Sequence, residues 1–258
     1  MSKNAELNGT LKRLLWVALL FISAGFVIST VTQKGSALVQ EVKIDVAPLP
    51  DGHSLVAPED IRLAIERSFG FQLEALPISS VDVDRLERVL EAEPFILDAD
   101  VYVDARDKVN IVVSQRLPVL RIIDHNGLNY YLDESGVKMP LSAHFSARVL
   151  VATGNIPPHE TDFRKKRNNV LNQVFELANT IRADEFLFAM IQQIYVNNRS
   201  EITLVPMVGN QKISFGRYQN VEEKLENLKI FYQEGLPYQG WQKYRQINLM
   251  FDGQVVCK

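Results

Sequence analysis

ADVYVDA at residues 99–105 and VNIVV at residues 109–113 carry the clearest structural signal in this chain. In the first stretch apolar and polar residues alternate strictly, which is the period-two pattern of a half-buried β-strand. Arg106 and Asp107 lie between the two stretches and suit a turn. The sequence therefore predicts two consecutive strands here.

Two helices and one strand are predicted before this pair. Pro58 suits the first position of a helix, and apolar residues follow it at helical spacing: Ile61, Ala64, Ile65 and Phe69. Asp82 is a good N-cap for a second helix, whose apolar stripe is Leu86, Val89 and Leu90 and which Pro94 closes. A strand begins at Val42. Residues 41–116 thus predict a small module with the order β-α-α-β-β.

From residue 117 onward the pattern changes to one dominated by strands. Apolar alternation predicts strands at 119–123, 128–132, 137–139, 148–152, 191–196, 201–205 and 212–215, and a last strand from about 244 to 256. One helix is predicted over 163–181. Another starts at Asn220, which has Glu223 three residues later as in a capping box, and ends at Gly235 and Pro237. The fold class is α+β, with residues 117–258 forming a mixed, β-rich domain flanked by helices.

The segment near the N-terminus indicates a membrane protein. Residues 14–31 read LLWVALLFISAGFVISTV, 18 residues without a charge, which as a helix span roughly 27 Å, close to the hydrocarbon thickness of a bilayer. Lys12 and Arg13 precede this run, so we expect residues 1–13 in the cytoplasm, a transmembrane helix at 14–31, a linker at 32–40 and the rest outside the cytoplasm. The alternative is a cleaved signal peptide ending at Gly35-Ser36-Ala37, but the apolar run is longer than a signal peptide usually has.

Composition and motifs argue against catalysis. The 28 basic and 31 acidic residues give a net charge of −3, which is not that of a general nucleic-acid binder. The single cysteine, Cys257, excludes a disulfide framework and a thiolate zinc site. Histidines have no partner three or four residues away, and no metalloprotease, hydrolase, P-loop or dinucleotide motif is present. We expect no enzyme, no cofactor, no metal and no small-molecule substrate, and we interpret the basic cluster at 164–167 as a solvated helix face.

The last strand is the strongest candidate for a binding site. Its residues Ile247, Leu249 and Phe251 share one face, which should pack on the core, and Asp252-Gly253 should bend or bulge it. A strand at a sheet edge can accept a strand from a partner through backbone hydrogen bonds. The residues alone leave two readings open, because the same strand could simply complete the sheet.

Several motifs, in order along nearly the whole chain, resemble those of the FtsQ/DivIB cell-division family. The first five are APEDI at 57–61, VDVDRLE at 81–87, PFILDADV at 94–101, QRLPV at 115–119 and YLDESGV at 131–137; ISFG at 213–216, followed by Lys224-Leu225, and INLMFDG at 247–253 complete the set. Three positions depart from the family pattern. Gln115 stands where an acid is usual, and Asn248 and Met250 stand where Asp and Arg are usual.

The resemblance implies that residues 41–116 form a POTRA domain and that the protein is a non-catalytic divisome scaffold. Such a protein lies in the inner membrane at the septum and links early and late division proteins. Its partners would be single-pass coiled-coil proteins of the FtsB/FtsL kind, which add a strand to the last strand. Carried over by position, the contact residues are Phe251, Asp252, Gly253, Gln254, Val255 and Val256, with Phe251 as an aromatic anchor.

Two other functions stay open at this point. A POTRA-bearing chaperone or translocation factor outside the cytoplasm would be expected to have tandem modules or a membrane β-barrel, neither of which is visible in the sequence. A cell-wall enzyme is the weaker alternative, because nothing in the spacing of the acidic residues selects a catalytic pair.

Overall fold

The computed structural model describes residues 37–241 and 243–258, together with Trp16, Leu19 and Ser23, which are helical. Apart from these three positions, the tail predicted at 1–13, the transmembrane helix predicted at 14–31 and the first part of the 32–40 linker lie outside the described residues. Within the part of the chain that the structure describes, no helix is both long and apolar enough to cross a membrane.

The chain divides into two compact units. Unit 1 contains the residues up to Ala47 together with Ala57–Ser114, and unit 2 contains Pro48–Val56 together with Gln115–Lys258. Both units combine helices with a sheet, and unit 2 has a large sheet and few helices, in agreement with the α+β prediction.

Unit 1 has the predicted order of elements. Its strands are β1 (Glu41–Val46), β2 (Ile96–Val103) and β3 (Lys108–Gln115), and its helices are α1 (Pro58–Phe69) and α2 (Val83–Glu91). Short 3-10 helices at Leu73–Ala75 and Ile78–Ser80 connect the two α-helices. The sheet order is β1-β3-β2, with β1 parallel to β3.

Local chemistry explains where the two α-helices begin and end. Pro58 occupies the first turn of α1, the Ala57 N–H donates to Asp60 Oδ2 at 2.8 Å, and Gly70 ends the helix at a φ of 78°. Asp82 caps α2 by accepting from the Arg85 N–H at 3.0 Å. The buried residues of α1, Ile61, Ala64 and Ile65, and those of α2, Leu86 and Leu90, contribute to the core of this unit.

Unit 2 is built on a nine-stranded mixed sheet. Its strands are β4 (Pro118–Ile123), β5 (Asn129–Asp133), β6 (Lys138–Met139), β7 (Leu150–Gly154), β8 (Ile191–Val196), β9 (Ile202–Pro206), β10 (Lys212–Gly216), β11 (Gln246–Asn248) and β12 (Val256–Cys257). The order across the sheet is β12-β11-β10-β9-β8-β7-β4-β5-β6. β10 and β11 are parallel, and β11 and β12 are antiparallel. The sheet therefore ends with β12 on one side.

The helices of unit 2 are α3 (Val170–Ala183), α4 (Glu185–Met190), α5 (Val221–Ile230) and α6 (Leu236–Gln239). The helix predicted over 163–181 is wrong at its start, because Asn169 caps α3 by accepting from the Leu171 N–H at 2.8 Å. The residues from Phe163 to Lys165 form a separate 3-10 helix, so the basic cluster at 164–167 lies before α3 and only its first two residues are helical. All four residues of the cluster are exposed, as predicted.

The predicted end of the second helix is also wrong. A π-helical turn at Phe231–Gly235 joins α5 to α6, so the chain stays helical to Gln239. Pro237 lies in the first turn of α6, where a missing N–H costs little. Asn220 does not cap α5 with its side chain.

Unit 2 includes the nine-residue segment Pro48–Val56, which in sequence lies between β1 and α1. Gln115 Oε1 accepts hydrogen bonds from the N–H groups of Leu55 at 2.6 Å and Val56 at 3.3 Å. The ring of His53 stacks on Phe145 with centroids 4.2 Å apart. Gln115 thus supplies the acceptor oxygen that an acid would supply at this position, which accounts physically for the departure from the family pattern.

Candidate partner-binding site

Residues 246–257 form a hairpin, with seven residues between β11 and β12, and not the single long strand that the sequence predicts. Ile247 and Leu249 are buried as expected, but Phe251 is 55% exposed and does not pack on the core. The Met250 N–H donates to Asn248 Oδ1 at 2.9 Å, which starts a turn directly after β11. Gly253 has a φ of 66° and lets the chain fold back into β12. The predicted bend at Asp252-Gly253 is therefore a complete reversal.

The backbone of β12 has one paired side and one open side. Lys258 and Gln246 exchange both of their hydrogen bonds, at 3.0 and 3.1 Å. Hydrogen-bonded and non-hydrogen-bonded pairs alternate along an antiparallel ladder, so the next pair, Cys257 with Ile247, is non-hydrogen-bonded. The N–H and C=O of Cys257 point away from β11, and those of Val255 follow the same alternation. Because β12 is the last strand of the sheet, these groups form an outer edge.

The six predicted contact residues form this turn and the start of β12. Phe251 and Asp252 are exposed, and the Gln254 N–H closes the turn on Phe251 O at 3.3 Å. Val255 packs against the core of unit 2, while Val256 has its side chain on the more exposed face. The structure thus brings together an aromatic side chain, an acidic side chain and two outward backbone positions.

Sequence analysis missed the residues that support this turn from α5. Asn220 Nδ2 donates to Asp252 Oδ1 at 3.3 Å. Asn220, Glu223, Lys224 and Asn227 line a small cleft together with the turn. Lys224 lies between the apolar residues Val221 and Leu225 of α5, next to the face that packs on the core, and this position is the sequence signal that its ammonium group is buried.

Lys224 is the main buried charge at the site. Its Nζ donates to Phe215 O at 2.9 Å and to Arg217 O at 3.3 Å, and lies 4.8 Å from the centroid of the Phe215 ring. Burial lowers the pKa of Lys224, and the nearby carboxylates of Asp252 and Glu223 oppose that effect. The ammonium group therefore holds the end of β10 against the start of α5, and Lys224 lines the same cleft as the turn at Phe251–Gln254.

An open groove lies between the helical segment from α5 onward and the part of the hairpin that leads into β12. One helical face provides Asn227, Ile230, Phe231 and Glu234, and the hairpin provides Gly253 and Val255. A strand added to β12 would have apolar contacts available on this side.

Cys257 lies in β12 with its thiol partly buried. Burial raises the pKa of the Cys257 thiol, so the thiolate, which is the nucleophilic form, is disfavoured at neutral pH. The described residues contain no group of three or more His, Cys, Asp and Glu side chains arranged to hold a metal ion.

The two departures in β11 and the turn have visible structural roles. Asn248 uses its side chain to start the turn. Met250 is half-exposed and lies against Gly216, whose φ is 79° and where an added Cβ would lie 2.7 Å from Met250 Cγ. Position 250 therefore presents a flexible, half-exposed apolar side chain.

A mixed sheet with an open terminal edge beside an exposed aromatic residue is typical of proteins that bind other proteins. The family model described as "FtsQ/DivIB, C-terminal related" matches residues 117–258, more than half of the chain. The chain belongs to the FtsQ/DivIB family, which consists of non-enzymatic cell-division proteins that act as scaffolds and interact with other division proteins. No curated protein matches it.

Proposed function

We propose that this protein is a single-pass scaffold of the division septum that links early and late division proteins. Residues 14–31 anchor it in the inner membrane with the N-terminus in the cytoplasm, and unit 1 serves as its POTRA domain. Support comes from family membership, from the uncharged run of 18 residues and from Lys12 and Arg13 before it.

The proposed partner is a single-pass coiled-coil protein of the FtsB/FtsL kind that adds a strand to the outer edge of β12. The observation that carries this proposal is the position of β12 as the last strand of the sheet, where ladder alternation directs the N–H and C=O groups of Cys257, and one pair further on those of Val255, away from β11. Each backbone hydrogen bond contributes about 1 kcal/mol net, so a short edge alone gives weak binding. Phe251 and the groove beside Val255 supply the apolar contacts that raise the affinity.

Proline and alanine at one position separate the backbone from the side chain. Val255→Pro removes an outward N–H, whereas Val255→Ala keeps it and trims a half-buried side chain. With the full chain in nanodiscs, we expect Val255→Pro to weaken binding of the coiled-coil partner about tenfold. It should lower the melting temperature no more than Val255→Ala does, because both changes trim a side chain that packs against the core. Val255→Ala should bind within about twofold of the unsubstituted protein.

Two results would refute separate parts of this proposal. Equal binding by a folded Val255→Pro variant would refute strand addition. Photocrosslinking in cells from position Gln254 tests the partner: a small single-pass coiled-coil protein is expected, whereas capture of unfolded or β-barrel clients would favour the chaperone function.

A further inference from the structure

One end of unit 2 exposes four large apolar side chains, two on the loop between β9 and β10 and two on the segment that runs from α6 to β11. Tyr238 is 87% exposed, Val208 64%, Met207 57% and Trp241 47%. We call these four residues the apolar tips. Single exposed apolar residues are common on soluble proteins, but a group of them that includes Trp and Tyr indicates a surface made to be covered.

The sheet topology brings these residues together. Met207 and Val208 follow β9 and precede β10, while Tyr238 and Trp241 precede β11. Because β10 and β11 run parallel, with Lys212 opposite Gln246, their starts lie at the same end of the sheet. A hydrogen bond from Gln211 Nε2 to Trp241 O ties the two loops to each other.

Three exposed cations, Lys212, Lys243 and Arg245, lie on the same two chain segments as the apolar tips, and we call them the basic collar. The Lys212 N–H donates to Arg245 O at 3.0 Å, which places two of them side by side. Lys243 Nζ contacts the neutral Gln239 Oε1. No salt bridge involves any of the three among the described residues.

The charge of this end opposes that of the whole protein. Residues 202–221 and 235–251 contain no Asp or Glu, although the full chain has a net charge of −3. Glu234 lies one helical turn before Tyr238 and is exposed, but the three cations outnumber it, so the patch is complementary to a dense negative surface. Aromatic side chains that carry one polar group, flanked by lysine and arginine, are the combination that lies at the boundary between lipid headgroups and acyl chains.

We propose that this end of unit 2 binds the surface of an anionic lipid bilayer, with the apolar tips inserted among the acyl chains and the basic collar on the lipid phosphates. β10 and β11 separate it from the turn at Phe251, which lies at their opposite ends. The apolar tips and the turn at Phe251 therefore lie at different ends of these strands, although Arg245 of the basic collar donates to Lys258 O and so adjoins the end of β12. The membrane proposal does not rest on strand addition.

Trp241 is a built-in probe for this contact. The chain has two tryptophans, so Trp16→Phe leaves Trp241 as the only one. The full chain carrying Trp16→Phe is reconstituted into vesicles whose acyl chains are brominated, because bromine quenches tryptophan only on close contact. One set of vesicles is pure phosphatidylcholine, and the other also contains phosphatidylglycerol.

In vesicles with phosphatidylglycerol we expect Trp241 emission to be blue-shifted and quenched by bromine, and high salt should reverse both effects. Quenching in pure phosphatidylcholine should be weak. Each basic residue near an anionic surface changes the equilibrium between the membrane-bound and the free position of this end of unit 2 about fivefold. The triple change Lys212→Gln, Lys243→Gln and Arg245→Gln should therefore shift that equilibrium about a hundredfold toward the free position, which is measured as loss of quenching.

The control triple Lys165→Gln, Arg167→Gln and Arg199→Gln removes the same charge from other exposed positions of unit 2 and should leave quenching unchanged. Absence of quenching in the anionic vesicles would overturn the proposal. So would equal quenching in both lipids, or the same loss for both triple variants. Partner binding measured on the same samples reports on the scaffold function separately.

Discussion

Lys224→Met tests whether the buried ammonium group stabilises the site. Methionine keeps the apolar stem of the side chain and removes the Nζ that donates to Phe215 O and Arg217 O. Phe215 is fully buried, so its carbonyl loses its donor without access to water, whereas Arg217 is exposed and its carbonyl can bond to solvent. An unsatisfied buried acceptor costs about 1–3 kcal/mol, and part of this is offset because the ammonium group no longer has to be desolvated. We expect a net loss of about 1–2 kcal/mol at neutral pH.

The assay is urea unfolding of the full chain carrying Trp16→Phe, followed by Trp241 fluorescence, which reports on unit 2. Lys229→Met is the matched control on the same helix, because Lys229 Nζ pairs with Asp184 at 2.6 Å and both side chains are partly exposed. We expect it to lose less stability than Lys224→Met. The reasoning is refuted if Lys224→Met is as stable as the unsubstituted protein, or if both lysines give the same loss.

The same pair of proteins also makes a prediction about pH. The pKa of Lys224 is lowered from 10.5 in the folded state, so the unfolded state binds this proton more tightly. Stability contributed by this group therefore rises with pH up to about 10.5. The gap between the unsubstituted protein and Lys224→Met should widen as the pH is raised, and a constant gap would contradict the burial of the charge.

Three further changes test other parts of unit 2. Tyr232 is buried, and its hydroxyl has no hydrogen-bond partner among the described residues. Burial raises the pKa of Tyr232 to about 12 in the folded state. Because the unfolded tyrosine loses its proton first, the free energy of unfolding should fall by up to about 3 kcal/mol between pH 10 and 12. Tyr232→Phe should make the urea midpoint fall less steeply between pH 10 and 12. The same fall in both proteins would contradict a role for Tyr232. Gly154 has a φ of 101°, and an added Cβ would lie 2.1 Å from a backbone oxygen of β8, so Gly154→Ala should destabilise the protein by at least about 2 kcal/mol. Gly127 has open space around it, so the control Gly127→Ala should cost about 1 kcal/mol. Equal melting temperatures of the two variants would refute this difference. Gln115→Leu removes the acceptor for the Leu55 N–H and should cost about 1–3 kcal/mol in thermal unfolding, a value that a stable variant would contradict.

The elements that sequence predicted well are those with local signals. β2 and β3 follow from strict alternation, and α1 and α2 from Pro58, Asp82 and the spacing of their apolar residues. The errors arise where two local signals compete. Pro237 suggests a helix end, but a proline is also tolerated in a first helical turn, and the structure uses it in that way.

Only the residues of the candidate site that are contiguous in sequence could be predicted. The six residues from Phe251 to Val256 are contiguous, so one motif brings them to notice together. Asn220 and Lys224 are about thirty residues away and reach the turn only because β10 and β11 are parallel. The hairpin depends on a hydrogen bond from the Met250 N–H to the Asn248 side chain. The alternation of apolar and polar residues carries no information on such a bond, so the sequence predicts one continuous strand.

The segment Pro48–Val56 belongs to unit 2, although residues of unit 1 precede and follow it in sequence. Leu55 leaves the ribosome 60 residues before Gln115, whose side chain accepts its N–H, so unit 2 cannot complete its packing until unit 1 has been synthesised. A fragment beginning at residue 117, where the family match starts, would lack the buried residues Leu49 and Leu55 as well as the Gln115 acceptor. Such a fragment would expose apolar surface that the intact chain covers, so aggregation of the fragment would reflect the missing segment and not a failure of the sheet.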